Sequence, residues 1–450
     1  MALIRSNRDN RFTESTNKSP FNFNRFKTKQ MTTKLLNKEQ RHVVKVVNFG
    51  NILEWFDVYS FSYLATSLAK KFFPFQSSID GLLLSFLVFG LGFITRPIGG
   101  IIFGRIGDHI GRKRAFILSI VTLTVPTFIM GILPTYEIWG IYAPISLCIL
   151  RILQAIPTGG EIPGTICYLF ENANNKNRRF MTSWSAVGNQ IGAIVAILEN
   201  FAMENLMSPE FLEIWGWRIS FISGGFIGLF GIYLRHTLHE TPVFKNLQKT
   251  HRIDHETVLE LLTKYMKKII IGTSFGAIDA STFYLIATYI PVVIGGIIGF
   301  TNNQVLFVSL FILIVTTIFL PLFGYLGDKI SNKLMCSVSA IIVIALLYPL
   351  ALAFNYKSTY LLTIIGILFL IPISCITALI GFQVGNLFPD QVRFTGTGVA
   401  MNLADGIIGG FTPAIALFLL QLTGKQTAFC WYVLACAIIS LISYLKAIKE

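Results

Sequence analysis

Charge is what this chain has least of. Only 13% of its 450 residues are Asp, Glu, Lys or Arg, while 53% are hydrophobic. A soluble domain carries roughly 25% charge, and a soluble chain of this length would need two or three domains. The apolar residues instead fall into runs of about 20 residues or longer, each able to cross a ~30 Å hydrocarbon core. Cysteine is sparse as well. Cys148, Cys167, Cys336, Cys375, Cys430 and Cys436 all lie in apolar runs without ligand-like spacing. They read as small buried hydrophobes, neither disulfides nor a metal site. No basic stripe interleaved with exposed aromatics accompanies the net charge of +14, which excludes a nucleic-acid footprint. No Ser/His/Asp set, phosphate loop or Cys/His spacing appears, so an enzyme, a cofactor and a metal are not expected. Gly90, Leu91 and Gly92 lie inside an apolar run, where a dinucleotide-binding turn has no place.

The chain has a tight, charged turn that repeats. Gly104 to Arg114 reads GRIGDHIGRKR and lies between the apolar runs 81–103 and 115–133. A glycine-spaced turn with one acid and four strong bases belongs outside the bilayer, on its cytoplasmic side. A second copy, GYLGDKISNK, begins at Gly324. Gly104, Gly107 and Asp108 match Gly324, Gly327 and Asp328 at one offset of 220 residues, about half the chain. Two similar halves are a common plan of secondary transporters.

Twelve spans are expected, near 46–69, 81–104, 115–134, 141–170, 180–203, 217–236, 268–294, 303–326, 333–354, 359–386, 394–421 and 427–447. The fold class is therefore an all-α membrane protein in two six-helix halves, 46–236 and 268–450, joined by a polar linker at 237–267. Residues 1–45 hold eleven Lys and Arg against three acids and no apolar core, so they are not a secretory signal. They read as a disordered basic tail, with a transit peptide as the rival and Met31 as an alternative start. His251 and His255 are four apart, but in a solvated, lysine-rich linker they do not make a metal site. Thr257 to Lys268 reads as an amphipathic helix leading into span seven. Lys and Arg gather after spans two, four, six and eight, while Glu204, Glu210 and Glu213 lie on the opposite side. That bias puts both termini and the linker in the cytoplasm.

With these residues in view the chain resembles the major facilitator superfamily, and within it the metabolite:proton symporter family. The resemblance rests on NILEWFDVY (Asn51 to Tyr59), RPIGGIIFGRIGDHIGRKR (Arg96 to Arg114), RILQAIPTGGE (Arg151 to Glu161), HETPVF (His239 to Phe244) and NLFPDQVRFTGTG (Asn386 to Gly398). It spans about residues 45–450. Ala155 stands where a glycine is usual, and Asn386 where a Glu is common. The resemblance implies proton-coupled import of a small metabolite such as proline, glycine betaine, shikimate, 2-oxoglutarate or citrate. It also implies that spans one, four, seven and ten line a central cavity, in a bacterial inner membrane.

Charges inside a bilayer are costly and need a reason. Asn51, Glu54 and Asp57, spaced by three, form one polar stripe on span one. Glu54 and Arg96 each lie roughly 12 Å deep, so they can pair; alternatively Arg96 snorkels outward. Asp57, Glu161, Asp279 and Asp405 reach roughly 15–16 Å, from four spans. Asp57, Glu161 and Asp279 are the expected proton-coupling acids, with Glu161 the first choice beside Gly159, Gly160 and Gly164. For Asp279 and Asp405 a helix–helix hydrogen bond is the competing reading. Glu54, Tyr59, Arg96, Arg151, Gln154 and Tyr284 are the expected substrate-binding residues. Arg151 can take a substrate carboxylate or hold an acid ionised. Trp55, Tyr59, Tyr284 and Tyr289 can cage a quaternary ammonium. Asp108, Arg112 and Arg114, with Asp328 as the thinner copy, form the expected cytoplasmic gate.

The leading expectation is alternating-access symport of a proton with proline or betaine. A di- or tricarboxylate is the second substrate class, and a transporter-fold receptor the rival of another kind. The expected partners are the small solute, protons and the bilayer. Nucleic acid is not expected; the oligomeric state is open, with a monomer plausible.

Overall fold

The first helical turn among the described residues is a capping box. Asn37 accepts from Gln40 N, and the Gln40 side chain returns to Asn37 N. Helix α1 (Lys38–Phe72) therefore starts ahead of its apolar run, with Lys38, Arg41 and Lys45 on the part that leads into it. This computed structural model describes residues 35–73, 95–253, 256–286, 302–355 and 359–448. The tail to residue 34, the first part of span two, His255 and Tyr289 lie outside the described residues.

Among the described residues all regular structure is helical. After α1 come α2 (95–109), α3 (Arg112–Ile132), α4 (Tyr142–Asn172), α5 (Arg178–Leu206) and α6 (Trp217–His236). A short helix, Pro242–Lys249, is capped by Thr241 and lies in the linker. Then follow α7 (Val258–Tyr284), α8 (Asn302–Gly327), α9 (Asn332–Asn355) and α10 (Thr359–Leu387). The last are α11 (Arg393–Thr423) and α12 (Phe429–Ala447). Nine of the described helices are long and apolar enough to cross a membrane. Helices are the open-ended way to do this, because each satisfies its own backbone in a medium without water.

Burial is inverted relative to a soluble protein. Ile318 is 65% and Phe418 61% exposed, whereas Arg112, Arg235, Glu54 and Glu161 are each 0% exposed. The apolar surface faces lipid and the charges face one another. Within the unit Leu36–Glu450, α1 packs on α5 and α6, and α3 on α4 and α6. In the second half α9 packs on α10 and α12, and α7 on α11 and α12. The halves meet where α5 touches α8 and α10, and where α4 touches α11. Small residues allow such approach. A Cβ on Gly104 would lie 2.5 Å from the Thr395 Cα, so α2 meets α11 backbone to backbone.

Candidate functional site

Each polar residue of the α1 stripe goes to a different neighbour. Asn51 donates to the Ser185 carbonyl at 3.0 Å and accepts from Thr165 Oγ1 at 2.9 Å, which locks α1 to α5 and α4. One turn on, Glu54 Oε1 takes Arg96 Nη2 at 3.0 Å. Of the two readings of Arg96, pairing is the one observed. Asp57 is held from α4: Arg151 Nη1 reaches Oδ2 in a close ion pair, and Gln154 Nε2 donates to Oδ1 at 2.7 Å. Gln154 also reaches Thr127 Oγ1 at 2.6 Å, and the Arg151 guanidinium lies 4.2 Å from the Phe61 ring centre. Arg151 thus serves an acid of the protein.

Glu161 is ion-paired as well. Arg235 Nη2 binds its Oε1 closely, Arg235 Nη1 meets Oε2 at 3.1 Å, and Ser119 Oγ donates to Oε2 at 2.7 Å. The guanidinium also lies 3.6 Å from the Phe116 ring centre. Gly50 of α1 faces this pair, and any side chain there would collide with both partners. Glu161, ranked first for the coupled proton, is therefore an acid with a dedicated arginine. Arg235 went unnoticed in the sequence because it sits at the end of an apolar run beside His236, where an interfacial arginine is ordinary.

The acids of the second half are held differently. Asp279 of α7 accepts from Thr377 Oγ1 of α10 in a short hydrogen bond. Asp405 of α11 lies near Glu54, Arg96, Asp279 and Tyr284. Among the described residues neither acid has a basic partner within ion-pair distance. Residues 74–94 and 287–306 contain no Lys, Arg or His to supply one. The aromatic set gathers at the junction of the halves. Trp55 meets Phe283 edge to face at 4.7 Å and Tyr59 at 6.4 Å, and Phe283 meets Tyr284 at 5.2 Å. Phe283 was missed because, within an apolar run, it looks like any packing residue. The Trp55 Nε1 donor is buried without an acceptor among the described residues.

The repeated turns each cap a helix of the other half. Asp108 accepts from Phe394 N at 3.2 Å, Thr395 N at 2.9 Å and Thr395 Oγ1 at 2.7 Å, at the first turn of α11. It also pairs with Arg112 at 3.1 Å. Asp328 accepts from Arg179 N and Phe180 N, both at 3.0 Å, at the first turn of α5. Its pair with Arg179 is looser, at 3.8 Å. A carboxylate at a helix N-terminus fills orphan donors and opposes the helix dipole. Burial raises both carboxyls above their ordinary range, and these N–H bonds and arginines pull them back. Behind Asp108 lies a hub at Glu171. It takes Arg112 at 3.2 Å, Arg393 at 3.3 Å and Thr241 Oγ1 at 2.5 Å. The HETPVF and NLFPDQVRFTGTG motifs thereby clasp the loop that GRIGDHIGRKR makes. Arg114 is exposed on α3, away from this cluster.

Paired helical halves, charges buried between them and reciprocal caps on one face define a membrane carrier. The chain belongs to the major facilitator superfamily, and within it to the metabolite:proton symporter family. Residues 43–264 match the family model described as "Sugar (and other) transporter". The chain is 31% identical to the citrate-proton symporter of Klebsiella pneumoniae, over 88% of this chain and 89% of the relative. It is equally 31% identical to a putative proline/betaine transporter of Staphylococcus aureus strain COL, over 89% and 87%. Among solved structures it resembles the proton:xylose symporter XylE bound to 6-bromo-6-deoxy-D-glucose. That match has a TM-score of 0.77 at 16% identity, covering 90% of this chain and 94% of the other. Carrier and not enzyme is the class this establishes.

Proposed function

We propose that this chain is a proton-coupled symporter that imports a small zwitterion, proline or glycine betaine, across a bacterial inner membrane. Its twelve spans would place both termini and the basic loops in the cytoplasm, as the Lys and Arg bias requires. Proton coupling is supported by relatives named as proton symporters and by buried acids without an ion-paired cation among the described residues. Among the coupling candidates Asp57, Glu161 and Asp279, geometry favours Asp279. An arginine beside a carboxylate favours its ionised form, whereas burial with only a hydroxyl partner favours the neutral one.

One observation carries the substrate class. Five acids (Glu54, Asp57, Glu161, Asp279 and Asp405) face three arginines (Arg96, Arg151 and Arg235), and each arginine is already paired with an acid. Whenever Asp279 or Asp405 is ionised, the region therefore has surplus negative charge. That suits a ligand bearing an ammonium beside Trp55, Tyr59, Phe283 and Tyr284, the last three offering ring faces. Trp55 Nε1 is a spare donor for the substrate carboxylate. A di- or tricarboxylate is the second reading, favoured by the citrate-proton symporter relative. It would have to draw Arg96 or Arg151 from its acid.

Proteoliposomes with an imposed proton gradient test this. Labelled proline should accumulate, unlabelled betaine should compete, and citrate or 2-oxoglutarate should not. Accumulation should collapse with a protonophore. Accumulation of citrate alone would overturn the zwitterion reading, and binding without movement would favour a receptor.

A further inference from the structure

Asp405 stands on the one irregular stretch of α11. Leu403–Gly409 winds as a π-helix, a costly geometry that concentrates at functional positions. Gly410 N closes this turn on the Asp405 carbonyl, five residues back, at 2.8 Å, and the Tyr432 hydroxyl of α12 donates to the Ile408 carbonyl at 2.7 Å. The level of Asp405 in the bilayer follows from the α2–α11 contact. Added side chains at Gly107, Gly104 and Gly100 would meet Phe394, Thr395, and then Gly398 and Asn402, in that order. The two helices run antiparallel, so one further turn sets Arg96 level with residues just past Asn402. Asp405 is the acid there.

The charged and titratable groups within electrostatic reach of Asp405 are Arg96 from α2, Glu54 from α1, and Asp279 and Tyr284 from α7. Tyr432 from α12 is committed to the Ile408 carbonyl. Arg96 is the cation of this set, and in the structure it is bonded to Glu54.

We infer that Asp405 is a proton-binding site that governs opening of the cytoplasmic side by competing with Glu54 for Arg96. The inference rests on the proton-coupled reading above, and not on the identity of the solute. Ionised Asp405 draws on Arg96 across α2 and α11. This is the same helix pair that Asp108 and Gly104 close nearer the basic loops, so the added tie holds the cytoplasmic side shut. Protonation removes that tie and leaves the Arg96–Glu54 pair that is seen here, with the caps then left to release. One proton binds Asp405 from outside and leaves to the cytoplasm after opening; no other bond is made or broken.

Ile166 of α4 supplies a reporter, being buried beside Gly381 and Gly385 of α10. Ile166→Cys, in the full chain without its six native cysteines, is labelled with a membrane-impermeant maleimide. Inverted vesicles present the cytoplasmic side, and pH is stepped with no solute present, each rate being normalised to a free thiol. Labelling should rise about tenfold on acidification. Asp405→Asn should fix it at the high level with no pH response, and Asp405→Glu should restore the response. Glu54→Gln should leave Arg96 to Asp405 and lower labelling at high pH; this variant decides the matter if Asp405→Asn does not fold. A parent that ignores pH overturns this inference together with proton-driven switching. A parental pH response in Asp405→Asn, or unchanged labelling in Glu54→Gln, overturns this inference alone.

Discussion

The two halves share their reciprocal helix caps but differ in how they hold buried acids. In the first half Glu54, Asp57 and Glu161 each have an arginine. In the second half Asp279 has a threonine hydroxyl, and Asp405 has no basic partner among the described residues. Both halves carry the Gly-x-x-Gly-Asp turn, and both turns cap the opposite half. The repeat therefore preserves the hinge-like contacts and not the chemistry at mid-membrane. An acid with its own arginine contributes a fixed charge and a structural tie. An acid with only a hydroxyl can change protonation without leaving a cation stranded. The first half thus ties each of these acids to an arginine, and the second half leaves its two acids without one among the described residues.

The comparison breaks most readily at Glu161. Removing one partner of a buried pair leaves an uncompensated charge, at about 3–5 kcal/mol. Arg235→Ala should therefore destabilise the protein severely, seen as aggregation on extraction and a much lower melting temperature. Adding Glu161→Gln should recover part of the loss. Asp279→Asn removes no cation partner and should cost about 1 kcal/mol at most. Equal melting curves for Arg235→Ala and Asp279→Asn would contradict this difference between the halves.

Transport sharpens the same contrast at a smaller scale. Asp279→Asn imitates the protonated acid, so proton-driven accumulation should be lost while counterflow exchange of labelled proline persists at about half the parental rate or better. Asp57→Asn instead leaves Arg151 without its anion. Both accumulation and counterflow should fall, by about 100-fold if roughly 3 kcal/mol of arrangement is lost. If Asp57→Asn keeps exchange while Asp279→Asn loses it, the proton belongs to the first half after all.

Much of this was legible in the residues. The span pattern, the repeated turn and the depth of Glu54 and Arg96 follow from run length and helical rise, and the ion pair they suggest is present. What the sequence hides is which side chain answers which across distant helices. Asp57 and Glu161 looked like two bare acids in one cavity because their arginines lie 94 and 74 residues away. Arg235 and Glu171 sit at span ends, where charge is unremarkable in a linear reading. The π-turn under Asp405 likewise has no signature in LADGIIG beyond its glycines. It packs against α7, and its Ile408 carbonyl accepts from Tyr432 of α12, neither of which the local residues announce.

The two caps should differ in weight. Asp108 is fully buried, with two backbone donors, one hydroxyl and Arg112, whereas Asp328 has two backbone donors and a loose, partly exposed Arg179. Asp108→Asn should raise cytoplasmic labelling of Ile166→Cys about tenfold, and Asp328→Asn about threefold, since fewer charge-assisted bonds are lost. Equal effects would mean that helix capping alone sets the gate and that the Arg112 hub adds nothing.

The smallest effect belongs to Arg114, and it separates motif from mechanism. GRKR places Arg112 and Arg114 two residues apart, which on a helix points them about 200° apart. The structure shows the consequence. Arg112 is fully buried, with Glu171 at 3.2 Å and the Gly107 and Asp390 carbonyls at 2.8 Å and 2.7 Å. Arg114 is exposed on the opposite side of α3. Arg112→Ala should therefore cost about 3–5 kcal/mol by stranding buried Glu171 and Asp108. Arg114→Ala should stay within about 0.5 kcal/mol and leave cytoplasmic labelling unchanged. Its charge has the topological job of keeping the loop on the cytoplasmic side, shared with Arg105, Arg112 and Lys113. One arginine fewer among four should not invert the loop. If Arg114→Ala alone opens the gate in the labelling assay, a contact made only in another state of the cycle must hold it, and Arg114 returns to the gate.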